Sequence, residues 1–445
     1  MGVKTSVTQR LSGQRLSTAL TSMAFVLVAG LTFVNAVILT NALGADGRGA
    51  IATAYGATVV LGWAFQFGMP SAASYYAKDL DHQTVMNAAW RTCLLAGIPF
   101  ALVLTPFYMW QLDGQAFEQG GDSLKLWYLA FVALHLFQSP FQTAVYYLRG
   151  SGSTVRFNLF LALPQLLVTL GYVVLLVFGR LTVDTALTST MMALAAGWAL
   201  TITYNDGWPK RTSGPKRLAE IRSFGLRSWV GSMSFIVSLR VDYMILVGLV
   251  SLEDLGVYAV ASALATLSSP VARAIGQSLQ PFIRYASSDA ERIARINRSM
   301  RWVALSSLGV LVPLALLAAW VVPWVFGAEF SASITPLLLL LPGAFAADVN
   351  KVVTTALSNF DRPENGSKAQ VASAITTVIG LAVLLGPFGI IGAAITSSAS
   401  YTVALVVALW YWRALKRDIA TGHATGETER LDRQPAMSAS SNEIS

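Results

Sequence analysis

The chain has 445 residues, of which 54% are hydrophobic and only 12% are charged. Soluble domains carry about 25% charged residues, so the composition excludes a water-soluble protein and predicts an integral membrane protein. The formal net charge of +8 does not indicate a nucleic-acid partner, because the basic residues lie between apolar blocks as cytoplasmic loop charges do. Cys93 is the single cysteine, and the three histidines do not cluster with potential metal ligands. We therefore expect no metal, no cofactor and no catalytic residue.

A membrane-spanning helix needs about 20 mostly apolar residues, and the chain contains a series of such stretches. In chain order they cover approximately residues 18–42, 51–77, 88–110, 124–148, 158–178, 184–204, 228–250, 255–280, 302–327, 332–355, 369–388 and 390–412. The sequence thus predicts an all-α polytopic membrane protein with about 12 transmembrane helices. Residues 1–17 form a cytoplasmic N-terminal segment in this prediction, and the polar residues 413–445 form a disordered cytoplasmic tail.

Lysine and arginine are distributed unevenly between alternate loops. One set of loops, which includes residues 205–227 and 284–301, is strongly basic. The alternate set of loops carries mainly Asp and Glu. Positive loops stay in the cytoplasm. The asymmetry therefore predicts that both termini are cytoplasmic.

The chain also shows an internal repeat. A shift of 207 residues aligns residues 43–54 with residues 250–261 and matches Gly49 with Gly256. Two copies of six spans predict two six-helix lobes around a central cavity, related by an axis along the membrane normal. The lobes would be residues 18–204 and 228–412, joined by the basic linker 205–227. Chance similarity between apolar segments is the alternative explanation.

Polar side chains recur at helical spacing within several predicted spans. In the eighth span, Ser269, Arg273 and Gln277 continue one helix face, and Gln138 and Gln142 do so in the fourth span. Polar groups are costly in lipid, so these faces are expected to line a cavity and bind substrate. Hydrogen bonding between packed helices is the alternative, especially for the serine.

Charged residues lie deep within the predicted spans of the second lobe. Arg240 lies about 18 Å into its span at 1.5 Å per residue, and Arg273 lies in the neighbouring span. Guanidinium groups suit phosphate oxygens, so both arginines are candidates for binding an anionic substrate. Asp242 and Asp348 are candidates for coupling to an ion. The alternative is structural: an arginine could pair with an aspartate across helices, and Asp348 could pair with Lys351, three residues away.

Residues 41–79, NALGADGRGAIATAYGATVVLGWAFQFGMPSAASYYAKD, resemble the first loop and second helix of bacterial oligosaccharide-lipid flippases. The residues that carry the resemblance are Gly47, Arg48, Gly49, Gly68, Ala72, Ala73, Tyr75 and Tyr76. That family is the polysaccharide biosynthesis branch of the multidrug, oligosaccharidyl-lipid and polysaccharide exporter superfamily. The resemblance covers about residues 15–412.

The resemblance implies a flippase that moves an undecaprenyl-pyrophosphate-linked oligosaccharide from the inner to the outer leaflet of the bacterial inner membrane. It implies that Arg240 and Arg273 hold the pyrophosphate, that membrane lipids surround the protein, and that polysaccharide polymerase machinery is a possible partner. Two alternatives stay open. One is a multidrug or cation antiporter of the same superfamily, which would favour acidic residues at depth, and the other is a membrane glycan polymerase or ligase, which would need a large external loop.

Overall fold

The structure is a computed structural model that describes residues 2–210, 215–270, 272, 288–360 and 362–421. The regular elements in these ranges are helices. Seven stretches of the described chain are long and apolar enough to cross a membrane: Ala19–Ala64, His82–Val103, Thr154–Val177, Val183–Tyr204, Asp289–Phe326, Ala328–Ser358 and Glu364–Ala420. The chain is an all-α multi-pass membrane protein, as predicted, and some of these stretches are long enough for more than one crossing. The count of twelve stays a prediction.

We call residues 2–204 the N-half. Its α-helices are α1 Gly2–Ile51, α2 Ala57–Ala64, α3 Met69–Tyr76, α4 His82–Thr92, α5 Ile98–Val103, α6 Thr105–Leu112, α7 Gln115–Leu136, α8 Gln138–Gly150, α9 Thr154–Val177 and α10 Val183–Tyr204. Short π-helical turns at Ala52–Gly56 and Cys93–Gly97 continue α1 into α2 and α4 into α5.

We call residues 215–421 the C-half. Its helices in the described ranges include α11 Pro215–Leu249, α12 Leu252–Ala265, α13 Asp289–Phe326, α14 Ile334–Asn359 and α15 Pro363–Ala420, with a 3-10 turn at Ala328–Ser333. The two longest helices, α1 and α15, each contain a glycine with non-helical backbone angles, where the helix is kinked. Gly44 in α1 has φ 69° and Gly389 in α15 has φ 52°, a conformation that glycine adopts without strain. The boundary predicted between the spans 369–388 and 390–412 therefore lies at the observed break.

Two predicted boundaries differ from the observed helices. Helix α11 begins at Pro215, inside the predicted linker, because Leu218 and Ile221 are buried against Met69 and its neighbours in the N-half. Helix α15 runs to Ala420 rather than ending at residue 412, because Leu415 packs into the core of the C-half. Residues 422–445 of the predicted tail lie outside the described residues.

Helix starts in the two halves recur at the spacing of the sequence repeat. The carboxylate of Asp81 accepts a hydrogen bond from the Thr84 N–H and caps α4. The hydroxyl of Ser288 accepts one from the Glu291 N–H and caps α13. Asp81 and Ser288 are 207 positions apart, as are Thr84 and Glu291. A side-chain oxygen at this position satisfies one N–H at the start of the helix, so both halves use the same local device at equivalent positions.

The two halves also contact each other reciprocally. Gly49 of α1 packs so closely on α12 that an added Cβ would overlap the carbonyl oxygen of Leu252. Gly256 of α12 packs in the same way on the carbonyl oxygen of Ala45. Since Leu252 is the 207-shifted equivalent of Ala45, each half presents the same surface to the other, as in an isologous contact. Small residues are what allow helix backbones in membranes to approach this closely.

A second contact joins the halves at the other end of α2. The ring of Trp229 in α11 stacks on Phe67, with 5.2 Å between centroids. Its indole nitrogen donates a hydrogen bond to the Ala64 carbonyl at 2.9 Å. Nearby, Gly68 has φ 68° and lies against the backbone of Gly225. The N-terminal part of helix α11 therefore packs against the N-half, and its later residues pack against the other C-half helices.

Candidate functional site

Asp242 lies buried on α11 and is surrounded by donors from three elements. The hydroxyl of Tyr258 in α12 donates to its carboxylate at 2.5 Å, and the hydroxyl of Ser397 in α15 donates at 3.2 Å. The backbone N–H of Tyr243 donates to the other carboxylate oxygen at 2.9 Å. Helices distant in sequence therefore converge on one acid inside the C-half. A carboxylate held by hydroxyl groups can exchange a proton or a small cation, since hydroxyl oxygens can accept as well as donate.

Asp348 on α14 is fully buried and is the centre of a second polar cluster. Its Oδ2 accepts hydrogen bonds from Ser268 at 2.6 Å and from Ser307 at 3.0 Å. Its Oδ1 accepts from Ser269 at 3.0 Å and from the ammonium of Lys351, also at 3.0 Å. Lys351 donates a further hydrogen bond to the Ser269 hydroxyl. The negative charge of Asp348 is therefore balanced by Lys351 on the same helix.

The ion pair between Asp348 and Lys351 lies within one helix. The Asp348–Lys351 geometry matches the structural alternative that the sequence left open, since spacing i, i+3 brings the two groups onto one helix face. Breaking such a buried pair leaves an uncompensated charge, which is strongly destabilising. Among the described residues, no group of three or more His, Cys, Asp or Glu side chains is placed to hold a metal ion.

Ser269 is the first predicted substrate-binding residue of the eighth span. In this structure its hydroxyl donates a hydrogen bond to Asp348. Arg273 and Gln277 lie outside the described residues. Arg240 belongs to α11, but its side chain lies outside the described part of the chain. These three predicted contacts to substrate stay predictions.

Gln138 and Gln142 lie in the N-half on α8, which begins at Gln138 after a turn at Phe137 within the predicted span 124–148. Gln138 is buried, and its Oε1 has no hydrogen-bond partner among the described residues. It packs with His135 over Gly62, where an added Cβ would overlap both side chains. The Nδ1 of His135 lies 2.7 Å from the Phe131 carbonyl, which can only accept a hydrogen bond. Gln142 is half-buried one helical turn further along.

The N-half carries a neutral residue at the position equivalent to Asp242. That residue is Asn35, 207 positions earlier, and it is buried on α1. Neither atom of its amide has a hydrogen-bond partner within the described ranges. The equivalent of Tyr258 is Ile51, which offers no hydroxyl. The polar cluster around Asp242 is therefore specific to the C-half, although the surrounding helices repeat.

Sequence reasoning missed several of the residues that form these clusters. Tyr258, Ser397, Ser268 and Ser307 are donors to the two acids, and the ITSSAS run at residues 395–400 was the available signal for Ser397. Their partners are more than a dozen residues away, so periodicity within one span could not pair them. Arg48 lies in the part of α1 that follows the break at Gly44; it is half-buried, and its Nε has no hydrogen-bond partner among the described residues.

The fold resembles solved transporter structures over most of its length. An inward-facing multidrug resistance MATE family transporter of the MOP superfamily superimposes with a TM-score of 0.68 and 15% sequence identity, covering 89% of this chain and 96% of that one. The lipid II flippase MurJ, in an inward closed conformation, superimposes with a TM-score of 0.66 and 12% identity, covering 90% of this chain and 86% of that one. The two superpositions show that this chain shares the fold of these membrane transporters.

Sequence comparison assigns the family. The family model described as "Polysaccharide biosynthesis protein" matches residues 16–287. A curated relative, the probable low-salt glycan biosynthesis flippase Agl15 of Haloferax volcanii, is 22% identical over 402 residues, which cover 87% of this chain and 81% of that protein. The chain belongs to the polysaccharide biosynthesis protein family, as its residues 41–79 indicated.

Proposed function

We propose that the protein is a flippase that moves a lipid-linked oligosaccharide, carried on undecaprenyl pyrophosphate, from the inner to the outer leaflet for surface polysaccharide assembly. The observation that carries this proposal is family membership over residues 16–287. The similarity to a glycan biosynthesis flippase across 402 residues supports it further. The lipid carrier, the direction of movement and the bacterial inner membrane are part of the proposal.

The charges inside the helices support an anionic substrate. Arg240 and Arg273 occupy positions within predicted spans of the C-half, and a guanidinium fork can bind two phosphate oxygens at once. Of the acids in the described C-half interior, Asp348 is neutralised by Lys351. Family membership favours the flippase over the multidrug antiporter.

We assign ion coupling to Asp242 rather than to Asp348. Asp242 accepts hydrogen bonds from the hydroxyl groups of Tyr258 on α12 and Ser397 on α15. Binding of a proton or a cation at Asp242 would change the hydrogen bonds that join α11, α12 and α15. Such an element can bias a transporter between two states, because an ion shifts a conformational equilibrium when it binds one state more tightly.

Alternating access would operate at the reciprocal contact of Gly49 and Gly256. In the proposed cycle this contact separates the cavity from the outer side, and it opens as the halves rock against each other. Polysaccharide polymerase machinery would take up the product on the outer side.

A deletion strain tests the proposed function. Loss of the protein should leave lipid-linked sugar units in the inner leaflet and abolish a surface polysaccharide, and the wild-type chain should restore it. A deletion strain that keeps normal surface glycan but becomes sensitive to cationic drugs would instead establish the multidrug exporter.

The proposed orientation has its own test, with both termini in the cytoplasm. In a Cys93→Ser background, a thiol probe that cannot cross the membrane should label Gln115→Cys and Glu253→Cys from outside, but not Ala290→Cys. All three positions are exposed in the structure. Labelling of Ala290→Cys with protection of the other two would reverse the orientation and with it the direction of the proposed transport.

A further inference from the structure

A left-handed turn interrupts the second predicted span of the N-half. The sequence predicts one span over residues 51–77, but in the structure α2 ends at Ala64 and α3 begins at Met69. Between them, Phe67 has φ 46° and Gly68 has φ 68°. Glycine adopts this conformation without strain, whereas a bulky residue with positive φ is a strained outlier. The surroundings of Phe67 therefore hold it in an unfavourable backbone conformation.

The alternative to this turn is also unfavourable, because Pro70 lies just after it. In a helix that continued from α2 into α3, the ring of Pro70 would clash with the carbonyl of Gln66 and kink the helix. The turn avoids the clash. The Gln66 carbonyl accepts a hydrogen bond from the Met69 N–H at 2.9 Å, and Pro70 lies in the first turn of α3. Residues 65–68 therefore have two competing forms, a left-handed turn and a proline-kinked helix.

Contacts from α11 in the C-half stabilise the turn in this structure. The ring of Trp229 stacks on Phe67, with 5.2 Å between centroids. Its indole N–H donates to the carbonyl of Ala64 at 2.9 Å, and the last carbonyls of a helix have no partner within the helix itself. The carbonyl of Gly225 lies so close to Gly68 that an added Cβ would overlap it. The stacked ring and the capped carbonyl both belong to the turn, so α11 favours the turn over the kinked helix.

We propose that residues 65–68 form a two-state hinge whose strained form is held by Trp229, so that movement of α11 away from the N-half releases Phe67 into the proline-kinked helix. Hinges are short segments of this kind, which absorb a large change of backbone angles. The hinge couples the contact between the halves to the angle between α2 and α3. Asp242 lies on the same helix as Trp229, so a movement of α11 that begins at Asp242 reaches the N-half through the hinge.

The test measures the distance between two spin labels on either side of the hinge, in purified full-length protein in nanodiscs. In a Cys93→Ser background, the labels are attached at Trp63→Cys in α2 and Lys78→Cys after α3, which are both exposed positions. This labelled protein should show one main distance. Adding Trp229→Ala should produce a second distance population, and adding Trp229→Phe, which keeps a ring but lacks the N–H, should produce a smaller one.

The matched control is Trp324→Ala. Trp324 is an exposed tryptophan that stacks on Trp320 at 5.5 Å and belongs to α13. Its loss removes an indole ring of the same size without touching the hinge. The control should therefore keep the single distance.

A second substitution distinguishes the release of strain from a loss of packing. Phe67→Gly removes the strain, so it should raise the ratio of the turn to the kinked helix by about fivefold to thirtyfold, which corresponds to the usual cost of a left-handed conformation for an L-residue. Added to Trp229→Ala, it should therefore remove most of the second population. If Trp229 contributes only packing, the double variant lacks both aromatic rings and its second population should grow, which would overturn the inference.

Thermal unfolding of each variant shows whether it is folded. If Trp229→Ala does not fold, Trp229→Phe and its combination with Phe67→Gly carry the test with the same expected directions. A single unchanged distance in the folded Trp229 variant would refute the hinge. The measurement uses no substrate and goes beyond the proposed function, so its failure would leave the flippase proposal standing, and a failure to move lipid-linked oligosaccharide would leave the hinge standing.

Discussion

The N-half and the C-half share one capped helix start and their mutual contact, but they place polar groups differently. The C-half has Asp242 and the Asp348–Lys351 pair inside its helices. The N-half has Asn35, Phe141 and Ala144 at the equivalent positions, and it carries Arg48 where the C-half has Leu255. The repeated backbone is therefore the structural framework, and the residues that differ between the copies are the candidates for function.

The largest effect is expected at Asp242. Asp242→Asn should lower transport to the level of a strain that lacks the protein, because the amide cannot exchange a proton or bind a cation as a carboxylate does. The measurement is complementation of the surface polysaccharide at matched expression. Glu253→Gln, an exposed acid in the same half, should keep full activity. Full activity of a folded Asp242→Asn would remove ion coupling from this residue.

A second substitution, Asn35→Asp, tests whether the N-half can replace the C-half at this position. Asn35→Asp should not restore transport to Asp242→Asn, because Ile51 in the N-half replaces the hydroxyl of Tyr258. The same complementation assay measures it. Restoration by the exchanged pair would show that the two halves are interchangeable at this position, contrary to the account.

The next effect concerns the Asp348–Lys351 pair. Lys351→Met should destabilise the protein by about 3 kcal/mol, because it strands a buried carboxylate. Adding Asp348→Leu should recover most of the loss, since the equivalent layer of the N-half is apolar, with Phe141 and Ala144. Thermal unfolding in detergent measures both variants. Equal stability of Lys351→Met and the wild type would mean that the ion pair contributes little.

The reciprocal contact predicts equal effects from either half. Gly49→Ala and Gly256→Ala should each cost about 2 kcal/mol of stability, typical of overpacking, because each added Cβ meets a backbone carbonyl. The control is Gly309→Ala, with open space around the glycine; it should be neutral or slightly stabilising. A loss confined to one of the two contact glycines would show that the contact is not reciprocal.

The smallest effect is expected at the two helix caps. Asp81→Ala and Ser288→Ala should each cost about 1 kcal/mol. The hydrogen bond from the Thr84 side chain lowers the pKa of the Asp81 carboxyl. A lowered folded-state pKa stabilises the protein above the unfolded-state value, and this contribution disappears as the pH falls through the folded-state pKa. Unfolding measured against pH should therefore show an acid-dependent difference for Asp81→Ala and none for Ser288→Ala.

Much of the fold could be predicted from the sequence, and less of the site. Apolar length and the 207-residue repeat are local patterns, and the helix starts at Asp81 and Ser288 follow them. The partners of Asp348 could not be found in this way, because Ser268 lies in the turn after α12 and Ser307 lies on α13. Lys351 was found, since it is three residues away.

The central claim is the movement of a lipid-linked oligosaccharide across the bilayer. The most direct measurement reconstitutes the protein in proteoliposomes that carry a fluorescent lipid-linked oligosaccharide and an ion gradient, and then adds a reductant that cannot cross the membrane. Wild-type protein should accelerate the loss of the fluorescence that is protected in the inner leaflet, and Asp242→Asn should not. Equal rates for wild-type proteoliposomes and protein-free liposomes, with the protein folded and inserted, would contradict the central claim.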